Sequence, residues 1–432
     1  MHRGSVLSLL VWALLYWAVA TLSTHTALAQ VPLFAEETAP PAQTKTPEPP
    51  AESIDGQRDL QQRPPDRQPD SGVQPVPGER QPAQAPLPPT DTRPETVEDN
   101  RYRLDNPHIA LLLPLQSNAF RRYADAIRLG VLSAASFAQD PSLPVIVYAT
   151  TEDTYQITDA YRRAMSSGAR AVIGPLTRDG VSAVAASGRI EVPTLALNSP
   201  ETEIRLPENL YVFGLQIEAE ARAVARYAFR EGGRKALVVI GETPVGRRIA
   251  QAFKEEWRRL KADVADEFVY STEAATLGQL RQLVKNTTAD AIFLSLDATR
   301  ARFIRSYLGN RLPIYATSMV YASNADRLEL YDLDGVRFVD MPWLLQPDHA
   351  AVMSYLRPDV SSAALDQERF YALGIDAYRV IRALLQRDPA SLAIDGVTGA
   401  ITLTRNRQIQ REPVPAYFSA GTARLPAADA PR

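Results

Sequence analysis

Four histidines and fifty carboxylates, with no cysteine, are the groups from which this 432-residue chain would have to build a reaction centre. His2 and His25 fall in the first thirty residues, which read as a targeting segment. His108 and His349 stand alone. Neither has a second histidine or an acidic residue at metal-ligand spacing, and Asp348 is too close in sequence to His349 to face it usefully. Both read as surface or hinge histidines. There is no His-Glu-x-x-His, no Gly-x-Ser-x-Gly elbow, no Ser-x-x-Lys and no Gly-x-x-x-x-Gly-Lys loop. No Gly-x-Gly-x-x-Gly follows the first apolar run, so a dinucleotide site has no support. Without cysteine there can be no disulfide, thiolate nucleophile, cysteine metal site or lipid-bearing thiol. The expectation is a chain with no catalytic machinery, no metal and no cofactor.

What remains is recognition by small polar groups. They recur just after apolar runs: Gln116-Ser117-Asn118, Gly174-Pro175-Leu176-Thr177, Asn198-Ser199, Glu242-Thr243, Asp297 and Ser318. In open parallel sheets a ligand binds beyond the carboxyl ends of the strands, where helix N-termini offer free N–H groups. Amides and hydroxyls there can hold a carboxylate or a peptide-like ligand. The competing reading is that Ser, Thr, Asn and Asp simply cap the next helix. Trp343 follows Asp340-Met341-Pro342 and is read as an aromatic cleft wall, a partner anchor or hinge packing.

The elements that must position these groups are legible as short apolar runs alternating with helical periods. Strands are expected at Ile109–Leu115, Val145–Ala149, Ala171–Gly174, Thr194–Leu197 and Tyr211–Gly214. A second set follows at Ala236–Gly241, Glu267–Tyr270, Ala291–Leu296, Pro313–Ala316 and Val336–Val339. Most are continuous runs, which suits parallel strands covered on both faces. Helices are expected over Phe120–Val131, Tyr155–Met165, 178–187, 217–231, 246–261, 276–286, 298–308 and Gln367–Leu385. Such alternation specifies an α/β fold of two doubly wound lobes. Lobe 1 is expected over 106–216 and lobe 2 over 217–344. The long helix returns to lobe 1 over 345–390, and the β-like segment at Gly396–Thr404 returns to lobe 2 within 391–424. A tail follows at 425–432. Three crossovers would then join the lobes around a cleft.

The amino-terminal part has a different composition. Arg3, the apolar stretch Val6–Ala20 and Ala27-Leu28-Ala29 form a signal peptide over 1–29, read as cleaved, with an uncleaved anchor as the alternative. About half of the 34 prolines lie between Pro32 and Pro94, so 30–105 reads as a disordered proline-rich linker. The net charge of −3 gives no footprint for nucleic acid. Export to the periplasm of a Gram-negative bacterium is expected, soluble or held by its signal, and not as a lipoprotein.

The run at Ile109–Leu115, the small residues between Ala126 and Val131, Ala171–Leu176 and Thr194–Asn198 resemble type I periplasmic binding proteins over residues 107–424. Four further stretches are similar to the carboxy-terminal domain of the penicillin-binding protein activator LpoA (YraM) family. They are Tyr211–Leu215, Asp340–Leu344, Gly374–Tyr378, and Gly396–Gly399 leading to Ala416–Phe418. The resemblance implies a two-lobed fold and stimulation of a class A penicillin-binding protein, the synthase that polymerises and cross-links peptidoglycan, by contact and not by catalysis. The chain departs from that family in lacking an acylable cysteine and in carrying a proline-rich segment where the family has a helical-repeat domain. The alternative function is substrate binding for an amino-acid or amide ABC-type transporter, and a third is a ligand sensor docking to a membrane receptor. An amino-acid-like or muropeptide ligand would fit the cleft.

Overall fold

The computed structural model describes residues 106–427 apart from 189, 203, 323–326, 358–364 and 387–391. The expected signal peptide, the proline-rich segment and most of the tail lie outside the described residues.

Unbroken apolar runs make the central strands. β1 (His108–Leu113) is buried at all six positions, and β4 (Thr194–Ala196) and β5 (Leu210–Val212) are buried throughout, as strands covered on both faces must be. With β2 (Val145–Ala149) and β3 (Ala169–Ile173) they form a parallel sheet in the order β2-β1-β3-β4-β5. Its crossovers contain α1 (Arg121–Ala138), α2 (Thr154–Ser166) and α3 (Arg178–Ala186).

The pattern then repeats. The second set of strands is β6 (Lys235–Ile240), β7 (Asp263–Val269), β8 (Ala291–Ser295), β9 (Ile314–Ala316) and β10 (Val336–Asp340). They alternate with α4 (Ile217–Arg230), α5 (Pro244–Arg259), α6 (Ala274–Asn286), α7 (Ala298–Leu308) and the short α8 (Arg327–Tyr331). Their parallel order is β7-β6-β8-β9-β10. Both sheets therefore share one winding, with a topological switch point between β1 and β3 in the first and between β6 and β8 in the second. β7 begins at Asp263, earlier than the apolar signal at Glu267. It is an edge strand, so its first residues are half-exposed and carry no apolar run.

After β10 the chain turns through α9 (Pro342–Leu345) and α10 (Ala350–Met353) into the 22-residue α11 (Leu365–Gln386). This helix packs along α1, with the Tyr123 and Phe370 rings 4.8 Å apart. Two glycines set how close the helices come. A Cβ at Gly130 would stand 2.0 Å from the Tyr371 carbonyl oxygen, and one at Gly374 would stand 2.2 Å from that of Ile127. Met341, Trp343 and the apolar stripe of α11 share a core cluster with Ile109, Leu111 and Tyr123 of the first sheet and its helix.

A separate antiparallel sheet follows, made of β11 (Ala393–Asp395), β12 (Ala400–Leu403) and β13 (Ile409–Glu412). The expectation that 391–424 belongs wholly to the second lobe needs correction here. Val397, Ile401 and Ile409 sit in the first sheet's core cluster, and Val212 N–H donates to the Arg407 carbonyl at 3.1 Å. β13 buries alternate residues, so one face of this sheet has to lie against a core. Only β14 (Val414–Ser419) and β15 (Thr422–Arg424) extend the second sheet, antiparallel beside β10.

Candidate functional site

The residues marked in the sequence fall at the carboxyl ends of both sheets. At the first switch point Gln116 is exposed, and its N–H donates to the Thr150 carbonyl at 2.9 Å. Ser117 is buried, and its Oγ accepts from Phe120 N–H at 3.2 Å where α1 begins. Across from them Gly174 adopts φ +112°, and a Cβ there would stand 2.1 Å from the Leu112 carbonyl oxygen, so only glycine fits. Gly174 N–H donates to Leu195 O at 2.8 Å and Leu197 N–H to Pro175 O at 2.9 Å. Asn198 Nδ2 donates to the Leu176 carbonyl at 3.2 Å, and Gln216 Nε2 donates to Ser199 Oγ at 2.7 Å. The groups following β3, β4 and β5 thus form one hydrogen-bonded rim.

Capping accounts for several of these groups. Thr177 Oγ1 accepts from Gly180 N–H at 3.2 Å to start α3. In the second sheet Thr243 caps α5 through Gly246 N–H at 3.0 Å, and Asp297 caps α7 through Arg300 N–H at 2.9 Å. Asp297 also pairs with the Arg300 guanidinium. Tyr270 shares this end of the sheet: burial pushes its phenol pKa up, Arg300 opposes, and Asp297 and Glu242 add to the rise. Glu242 is exposed beside it.

Ser318 and Trp343 sit deeper than a cleft reading requires. Ser318 has no solvent contact, and its Oγ donates to Glu220 at 2.6 Å. Trp343 is likewise fully buried. Its Nε1 donates to Glu368 at 3.1 Å, the Arg357 guanidinium lies 4.9 Å from its ring, and Tyr371 packs 5.3 Å away. A side chain with no exposed surface is neither a cleft wall nor a partner anchor. Its size fills the core between α9 and α11.

Beneath the rim lies a set of buried charges that no local sequence motif singles out. Arg369 on α11 is 2% exposed and pairs with the fully buried Asp340 at 2.6 Å. Burial pulls its pKa down, but Asp340, Asp366 and Glu220 outweigh this and hold the guanidinium charged above its usual range. Burial likewise pushes the Asp366 carboxyl up, against the pull of Arg369. Glu220 on α4 pairs with Arg411 on β13 at 2.5 Å, both almost without solvent contact. One signal was available: Glu220 falls on the apolar stripe of its helix, between Ile217 and Val224.

The two described histidines, His108 and His349, are both engaged in structural contacts. His108 is buried in β1 instead of lying at the surface, with Nδ1 against Asn106 O at 2.7 Å and Nε2 against the Tyr148 hydroxyl at 3.0 Å. His349 caps α10 and finds an acidic neighbour that its spacing did not reveal, Asp395 at 3.5 Å. Among the described residues no group of three or more His, Asp or Glu is placed to hold a metal ion. No described helix is long and apolar enough to cross a membrane.

Residues 100–421 match the family described as "LppC putative lipoprotein". The penicillin-binding protein activator LpoA of Photobacterium profundum is 26% identical over 349 residues, covering 72% of this chain and 55% of that protein. The chain spans about half the length of the curated relatives it matches. Among solved structures, the C-domain of LpoA (YraM) from Haemophilus influenzae, a regulator of PBP1A, superposes with a TM-score of 0.63 at 24% identity. The match covers 73% of this chain and 99% of that domain. A Chromobacterium violaceum protein described as a "putative branched-chain amino acid ABC transporter" is 35% identical with a TM-score of 0.64, covering 72% of this chain and 99% of the other. The fold is accordingly the α/β type shared by LpoA and the type I periplasmic binding proteins.

Proposed function

Because the chain belongs to the LppC family over residues 100–421, we propose that its folded part is a non-catalytic activator of peptidoglycan synthesis that binds a class A penicillin-binding protein. The observation that carries this reading is the set of relatives bearing the activator's name, which align over most of the folded residues. The chemistry of the rim supports it. Several of the hydroxyl and carboxylate groups at the strand ends are already engaged in capping the helices that follow. The protein works in the envelope, exported by residues 1–29. None of its 432 residues is a cysteine that lipid could modify, so any tether to a membrane uses other means.

The test is reconstitution. Immobilised chain should retain a purified class A synthase, and free chain should raise that synthase's cross-linking rate on its lipid-linked precursor. No retention together with an unchanged rate would overturn the reading. A second reading, solute binding for an amino-acid transporter, is favoured by the 35% identity to the Chromobacterium protein. It predicts a rise in Tm with branched-chain amino acids, which the activator reading does not.

A further inference from the structure

The chain passes between elements packed in the first sheet's core cluster and elements of the second large sheet at three places: residues 213–216 before α4, Met341 after β10, and Pro413 between β13 and β14. A charged side chain with almost no solvent contact stands at each. Glu220 lies in the first turn of α4, Asp340 ends β10, and Arg411 lies near the end of β13. These charges are tied together. Glu220 accepts from Arg411 Nη2 at 2.5 Å, and from Ser318 Oγ at 2.6 Å and N–H at 3.2 Å. Arg369 donates to both oxygens of Asp340, at 2.6 and 3.2 Å, and to the carbonyls of Tyr321 at 3.1 Å and Ser318 at 3.5 Å. Ser318 thus joins the two ion pairs into one network. A partly exposed pair, Arg226 with Glu412 at 2.5 Å, adds a weaker tie between α4 and β13.

Hinge motion is absorbed by a few connecting residues that change φ and ψ freely. The first crossing has little such freedom, since Phe213 N–H donates to Ala196 O at 2.8 Å and a Cβ on Gly214 would stand 2.7 Å from Leu197 O. The other two crossings end on the buried pairs. Swinging α4 away from β13, or α11 away from β10, would pull buried charges apart from the partners that offset their desolvation.

We propose that this network welds the three crossings into one joint, so that the two sheets keep a fixed mutual angle and do not close on a ligand. The proposal stands apart from the activator reading, because it concerns the chain by itself.

The natural sequence has no cysteine, so two introduced thiols can be spin-labelled without background. Tyr155→Cys on α2 and Gln282→Cys on α6 are exposed positions beside different sheets. Pulsed electron resonance should give one narrow distance distribution. Its mean should move by less than about 2 Å, the scale that separates rigid from rearranging proteins, on adding leucine, a disaccharide-tetrapeptide or a class A synthase. Two populations, or a larger shift with any of the three, would overturn the proposal. In the same labelled chain Glu220→Gln and Arg369→Met should each broaden the distribution, and an unchanged narrow peak would show that the network is not the weld. Where a single variant fails to fold, Glu220→Leu with Arg411→Met removes both charges of that pair together and should broaden the peak likewise; a narrow peak there also overturns the assignment.

Discussion

Thr398 donates two hydrogen bonds of 2.7 Å to one carboxylate oxygen of Asp376, one from its backbone N–H and one from Oγ1. Val397 N–H adds a third at 3.2 Å, and Arg379 pairs with the same carboxylate at 3.0 Å. Burial pushes the Asp376 pKa up, and Arg379 and the donors at 397 and 398 pull against it. The carboxylate thereby fastens α11 to the turn between β11 and β12, where a Cβ on Gly396 would stand 2.6 Å from Asp376 Oδ2. Thr398→Val keeps the side-chain shape and removes one donor from a buried charge. It should lower unfolding free energy by about 1.5–3 kcal/mol, read as an earlier urea midpoint with unchanged slope.

The parallel strands were legible because a strand covered on both faces must be apolar without interruption, as in Ile109–Leu113 and Ala291–Leu294. The polar residues at the strand ends were legible as to place and less so as to use. A threonine after a strand looks the same whether it caps, as Thr177 does, or waits for a ligand. The buried charges were illegible for a different reason. Glu220 and Arg411 lie 191 residues apart, and nothing local to either announces the other. Asp376, Thr398 and Trp343 stood in stretches that resembled a family, and the structure gives the physical cause: those stretches grip one another, with Trp343 N–H donating to Val397 O at 2.9 Å.

Gly374 and Gly278 are both helical glycines with opposite expectations. Gly374→Ala would drive a Cβ against the Ile127 carbonyl, backbone that cannot rotate away, and should destabilise by about 1–3 kcal/mol or more. Gly278→Ala meets nothing within 4 Å and should stabilise α6 by about 0.5–1 kcal/mol. Thermal unfolding of the two variants should therefore move in opposite directions from the natural protein.

Thr177→Ala separates capping from recognition. Losing the bond to Gly180 N–H should cost about 1 kcal/mol of stability. Affinity for the synthase and the response to amino acids should stay within error. An unchanged Tm with weakened binding would instead assign the hydroxyl to a ligand.

Tyr227 predicts an alkaline limit. Burial raises its phenol pKa to about 12 from an unfolded value of 10. The folded state holds the proton more tightly, so the stability it confers is fully present below pH 10 and is lost as pH rises toward 12. The loss reaches at most about 1.4 kcal/mol per pH unit for this group. Tyr161, Tyr315 and Tyr321, also pushed up by burial, add to the same slope. Urea midpoints between about pH 9 and 12 should fall less steeply in Tyr227→Phe.

Trp343→Phe distinguishes a packed core residue from a contact on the protein's surface. The substitution removes the Nε1 donor to Glu368, although Arg357 still pairs with that carboxylate at 2.7 Å, so the charge is not stranded. The smaller ring also leaves a void beside Tyr371. Together these should cost about 2–3 kcal/mol, from one charge-assisted hydrogen bond and a partly filled cavity. Since no atom of Trp343 reaches solvent, the folded variant should bind a class A synthase as the natural chain does, measured well below its own melting range. Weakened binding by a variant of unchanged stability would place the indole on the partner's side of the molecule, against its burial.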